Sequence, residues 1–116
     1  MIERSSNSSK VSMPVLEGTQ NFLAGLKDIS GMVHTFSLLG DLTRMRILLS
    51  LANARELCVS DLSDILGMET SAISHQLRKL KDGGLIVNKR EGAMVYYKMK
   101  TDALREVFAT ARSLLG

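Results

Sequence analysis

Residues 60–82 read SDLSDILGMETSAISHQLRKLKD, and how this stretch is read decides the fold. Ser60 or Asp61 offers an N-terminal cap, Leu62, Ile65 and Leu66 repeat at helical spacing, and Gly67 supplies a stop. Thr70 or Ser71 begins a second helix to about Lys81 in which Ile73, Leu77 and Leu80 face inward, and Asp82-Gly83-Gly84 ends it. Two helices joined by so short a turn predict a helix-turn-helix. On a wheel turning about 100° per residue, Ser71, Ser74, His75, Arg78 and Asp82 fall opposite the apolar side. Such a face suits a DNA major groove. Hydroxyls and an imidazole meet base edges or phosphates at close range, while Arg78 and Lys79 neutralise the backbone. The helix N-terminus adds N–H groups for a phosphate.

C-terminal to this pair, Leu85 to Arg90 and Met94 to Met99 are β-rich and flank Glu91-Gly92-Ala93, which predicts a hairpin turned by glycine. That hairpin is a wing. Lys89 and Arg90, just before its tip, are placed to touch flanking DNA, and Lys98 and Lys100 are weaker candidates. N-terminal to the pair, Met45, Ile47, Leu48, Leu49 and Leu51 predict a helix over about Leu42 to Asn53, capped by Asp41, with Arg44 and Arg46 turned outward.

Two further amphipathic helices bracket this centre. Phe22, Leu26, Ile29, Val33 and Phe36 recur at steps of four and three, predicting one helix from about Gln20 to Leu39 that ends at Gly40. Leu104, Val107, Phe108, Ala111 and Leu114 predict a last helix from about Asp102 to Leu115. The fold class is therefore mainly α with a β-hairpin wing, a winged helix-turn-helix in the order α1-α2-α3-α4-β1-β2-α5. Residues 1–19, with the only proline at Pro14, are expected to form a flexible arm, and residues 20–116 the DNA-binding and dimerisation domain.

A chain of 116 residues, 45% hydrophobic, supports one small core, and so small a core favours sharing a second one in a dimer. The stripes of the first and last helices, Phe22, Leu26, Ile29, Leu104, Val107, Phe108 and Ala111, want an apolar partner, across that dimer interface or within the chain itself. A net charge of +3 suits an anionic partner. One cysteine, Cys58, excludes a disulfide within the chain and points to a reducing compartment; with no signal-like or membrane-length apolar run, a cytoplasmic location is expected and no membrane partner. No Gly-rich phosphate loop, Ser/His/Asp order or paired-carboxylate spacing suggests an enzyme.

Three segments in order carry a family likeness: Leu38-Leu39-Gly40-Asp41-Leu42-Thr43-Arg44-Met45-Arg46-Ile47-Leu48, Glu56-Leu57-Cys58-Val59-Ser60-Asp61-Leu62, and Ser71-Ala72-Ile73-Ser74-His75-Gln76-Leu77-Arg78-Lys79-Leu80. From about Phe36 through Tyr97 the chain resembles the ArsR/SmtB family of bacterial and archaeal repressors. The resemblance implies a homodimer built on the first and last helices that binds a palindromic operator in double-stranded DNA and releases it when an inducer binds. It also implies contacts to bases or phosphates from Thr70, Ser71, Ser74 and His75. Glu69 stands where a serine is common in the family.

The same resemblance leaves the inducer open. Many relatives hold a metal through Cys-Val-Cys-Asp-Leu, but here the segment is Cys58-Val59-Ser60-Asp61-Leu62, and a hydroxyl is a poor ligand for soft ions. A variant site adds cysteine or histidine from the N-terminal arm, and residues 1–20 contain neither. At a second family site on the last helix this chain has Thr101, Ala103 and Leu114. No cofactor is expected, although Cys58 and Asp61 leave a residual metal site open. Cys58 is otherwise a redox sensor or a small buried hydrophobe, and a small organic inducer is equally open. A winged-helix module that binds protein instead of DNA is the competing function.

Overall fold

In the computed structural model, which describes residues 9–116, the order is α1 (Met13–Gly25), α2 (Ile29–Leu39), α3 (Leu42–Ala54), β1 (Leu57–Cys58), α4 (Val59–Leu66), α5 (Thr70–Asp82), β2 (Ile86–Glu91), β3 (Met94–Met99) and α6 (Ala103–Leu114). The helix-turn-helix, wing and last helix lie where the sequence places them. Two elements are additional. The short strand β1 pairs antiparallel with β3, Leu57 opposite Tyr97 and Cys58 opposite Tyr96, so the sheet has the order β1-β3-β2. A strand this short has too few residues to show an alternation.

The second addition is a break. The single helix expected over Gln20–Leu39 is two, because Asp28 adopts φ 60° and starts α2 afresh. Its carboxylate accepts the Gly31 N–H at 3.0 Å and its carbonyl accepts the Met32 N–H at 3.1 Å, as an aspartate at a helix start does. The stripe keeps its period across the break, which is why periodicity misses it. Helix α1 also begins earlier than expected. Met13–Thr19, assigned to a flexible arm, are its first turns, and Pro14 stands in the first turn, where its fixed φ is pre-set for helix and its missing N–H costs nothing. The part of that arm over residues 1–8 lies outside the described residues. The chain divides into two compact units, Met1–Met32 and Val33–Gly116.

The core belongs to the second unit. Leu39 of α2, Ile47, Leu48 and Leu51 of α3, Leu62 and Leu66 of α4, and Ile73, Leu77 and Leu80 of α5 form one cluster with Ile86, Met99, Leu104 and Phe108. Asp41 caps α3 as read from the sequence, its Oδ2 accepting the Arg44 N–H at 3.0 Å. That bond, with the Arg44 charge, holds the Asp41 carboxyl below its usual range. Leu104 and Phe108 correct the expected interface: at 7% and 6% exposure they close the chain's own core, and Arg105 anchors α6 by donating to the Ala52 carbonyl. Val107 at 39% exposure and Ala111 face away from that core.

Candidate nucleic-acid interface

The turn between α4 and α5 is built from backbone rules. Gly67 takes the left-handed region at φ 66°, its N–H and that of Met68 both bond to the Ser63 carbonyl, and the Ser63 hydroxyl donates to the Met68 carbonyl. Glu69, extended at φ −60° and ψ 143°, then starts α5 without a side-chain cap. Its carboxylate favours the helix N-terminus through the dipole.

With Ile73, Leu77 and Leu80 wholly buried, the opposite side of α5 is fixed in orientation. Thr70, Ser71, Ser74, His75, Arg78 and Lys79 are all exposed. Among the described residues, none of these six side chains makes a hydrogen bond or an ion pair within the chain. Six unsatisfied polar side chains on one rigid face are free to meet an external polar surface.

The wing is less open. Gly92 takes φ 63° at its tip, and β2 and β3 pair in continuous register from Ile86 opposite Met99 to Glu91 opposite Met94. Arg90 is exposed, and among the described residues it has no hydrogen-bond or ion-pair partner. Lys89 differs, because its Nζ lies 2.9 Å from Glu56 Oε1 and 3.1 Å from Glu91 Oε1. Both carboxylates raise the Lys89 ammonium pKa, Glu56 more than Glu91. A phosphate would have to displace them. The run of residue types gave no sign of Glu56, which lies far from Lys89 in the chain.

Cys58 and Asp61 come together, but as a helix start. The N-cap of α4 is Cys58, two or three residues before the Ser60 or Asp61 expected, and its N–H donates to Asp61 Oδ2 at 3.1 Å. Bonds from the Cys58 backbone and thiol hold the Asp61 carboxyl below its usual range. The Cys58 side chain is buried, 4% exposed, with Sγ 3.2 Å from Ser60 Oγ. Among the described residues, no three His, Cys, Asp or Glu side chains are grouped as metal ligands. One thiol, one hydroxyl and a carboxylate already engaged by a backbone N–H do not fit a soft metal ion.

One residue that the sequence reading placed on the outside stands behind the exposed face. Arg44, expected outside, is half-buried and bonds to Leu38 and Ser37 of α2 and to Gln76 of α5. The signal was present in the spacing, since Arg44 precedes Ile47 by three and Leu48 by four and so shares their stripe.

A helical core, a helix-turn-helix with an exposed second helix and a hairpin beside it define the winged helix-turn-helix class. The family described as "Bacterial regulatory protein, arsR family" matches residues 41–87. A cadmium resistance transcriptional regulatory protein homologue from Staphylococcus aureus is 36% identical over 80 residues, covering 69% of this chain and 66% of that protein. A Synechocystis transcriptional repressor, an SmtB homologue, is 38% identical over 77 residues, covering 66% of this chain and 58% of that one. The matched stretch thus spans less than two thirds of either relative. The solution structure of a homodimeric winged helix-turn-helix DNA-binding domain from Mycobacterium bovis, a possible ArsR-family regulator, superposes with a TM-score of 0.69 at 28% identity, over 79% of this chain and 89% of that one. The chain belongs to the ArsR family of bacterial regulatory proteins.

Proposed function

We propose that this chain is a homodimeric, sequence-specific transcriptional repressor that grips a palindromic operator through α5 of each copy and lets go on a signal. The observation that carries the reading is the exposed, unpaired polar face of α5 over a fully buried opposite face. Thr70, Ser71, Ser74 and His75 read base edges or phosphates, Arg78 and Lys79 bind phosphates, and Arg90 at the wing tip holds the flanking backbone. Lys89 joins them by exchanging Glu56 and Glu91 for a phosphate. The partner copy is held by Phe22, Leu26, Ile29, Val107 and Ala111, all exposed.

The protein acts by binding, without catalysis, in the cytoplasm. Burial of Cys58 supports a packing role over that of an oxidisable thiol, which needs access and a stabilised thiolate. The signal is therefore sought outside the Cys58–Asp61 pair.

The test is a duplex enriched from a random-sequence DNA pool by the wild-type chain, with binding followed by fluorescence anisotropy over a range of salt. Ser74→Ala and His75→Ala each weaken binding to that duplex by about 1–3 kcal/mol, and log affinity falls linearly with log salt at a slope near −0.9 per phosphate neutralised. Enrichment of no sequence, or a salt-independent affinity, would favour the protein-binding winged-helix module instead.

A further inference from the structure

We infer that Arg44 is a positioning residue whose guanidinium fastens the last turn of α2 to Gln76 and thereby sets the angle at which α5 meets DNA. Its three donors reach two elements at once: Nε donates to the Leu38 carbonyl at 2.9 Å, Nη2 to the Ser37 carbonyl at 3.5 Å, and Nη1 to Gln76 Oε1 at 3.1 Å. The Leu38 carbonyl is among those a helix C-terminus leaves without a backbone partner, the Ser37 carbonyl also accepts the Gly40 N–H at 3.2 Å, and a cation is favoured at that end of the dipole. Because the guanidinium is a rigid planar fork, seating two of its nitrogens on α2 dictates where the third points. The root of the side chain is fixed as well, since the Arg44 N–H is held by Asp41.

A second contact ties the same turn to the far end of α5. Leu38 is buried, and a Cβ on Gly83, just past the end of α5, would collide with Leu38 Cδ1. Helix α2 is therefore linked to the reading helix through Arg44 at Gln76, near its middle, and packs directly on the chain just beyond its C-terminus. Two anchor points fix the direction of an axis, where one fixes only a position. Gln76 directly follows Ser74 and His75 and precedes the buried Leu77, so displacement of the last turn of α2 passes through the fork to the residues that meet bases.

This inference rests on the DNA-reading role of α5, and the experiment separates the two. Wild-type full chain, Gln76→Leu, Arg44→Lys, Arg44→Met and the Arg44→Met/Gln76→Leu double variant are titrated against the enriched duplex and a scrambled duplex of equal length at one salt concentration. Thermal unfolding of each is followed by circular dichroism. Gln76→Leu and Arg44→Met each lower the ratio of enriched to scrambled affinity by about tenfold. Gln76→Leu, which changes no charge, leaves scrambled binding unaltered, because that term is electrostatic. The double variant loses no more than the worse single one, and Arg44→Lys, which keeps the charge without the fork, fails to restore the ratio.

A general loss of folded protein lowers both affinities together and moves the ratio little. A folded Gln76→Leu with an unchanged ratio overturns the inference. So does additive loss in the double variant, the mark of Gln76 touching DNA independently of Arg44. If Arg44→Met does not fold, Gln76→Leu and Arg44→Lys carry the decision. If the wild-type chain enriches no sequence, it is the DNA-reading role itself that fails.

Discussion

Helices α1 and α5 are both 13 residues long, and they treat their apolar side chains in opposite ways. In α5, Ile73, Leu77 and Leu80 are buried, so what the helix offers to the outside is hydroxyl, imidazole and cation. In α1 no residue is buried; Phe22 is 63% exposed, with Val15 and Leu23 exposed beside it. What α1 offers is hydrocarbon. The first surface matches a polar polyanion and the second a protein face, in keeping with the proposed roles of α5 in reading DNA and of α1 in assembly.

The sharpest way to break that contrast is to truncate each helix. Leu77→Ala leaves a cavity beneath the reading face and costs about 2–5 kcal/mol in urea unfolding. Loss of well under 1 kcal/mol would mean that α5 is not anchored as described. Next, Phe22→Asp puts a charge on the apolar face of α1 and weakens self-association by about 2 kcal/mol or more, read as a shift to monomer in sedimentation velocity. An unaltered association constant would remove α1 from the interface.

The smallest effect is one of pH. Asp41 and Asp61, which start α3 and α4, both have folded pKa values lowered by backbone N–H groups. A lowered folded value means that the unfolded chain takes up protons first. The stabilisation is therefore present above the unfolded carboxylate range, near pH ~4, and is lost as pH falls through the lowered folded values. Asp61→Asn should flatten the acid limb of a stability-against-pH curve, whereas a curve superimposable on wild type would show that the Asp61 bond to Cys58 contributes nothing. None of this touches α1, whose described residues carry no such cap.

Much of the centre was legible because it is governed by local rules. Asp41 as a cap, Gly67 as a left-handed stop, the buried trio Ile73, Leu77 and Leu80, and Gly92 at the wing tip each follow from a side chain or its absence acting on its own backbone. The misses share a different cause. Asp28 breaks a stripe without disturbing its period, Leu57–Cys58 becomes a strand only because β3 lies beside it, and Glu56 reaches Lys89 through a fold that brings distant segments together.

The same division runs through the site. The identity of the polar groups on α5, their spacing and the glycine-broken turn before them were determined by the sequence alone, since helical period and backbone sterics act over a few residues. Which amphipathic stripes close the chain's own core and which stay open was decided by tertiary structure: Leu104 and Phe108 went inward while Val107 stayed half outside on the same helix. Arg44 shows the same limit. Its residue type says only that it carries a fork of donors, and the meeting of α2, α3 and α5 decides that the fork closes on Ser37, Leu38 and Gln76. A hydrogen bond between residues 32 positions apart has no period to announce it.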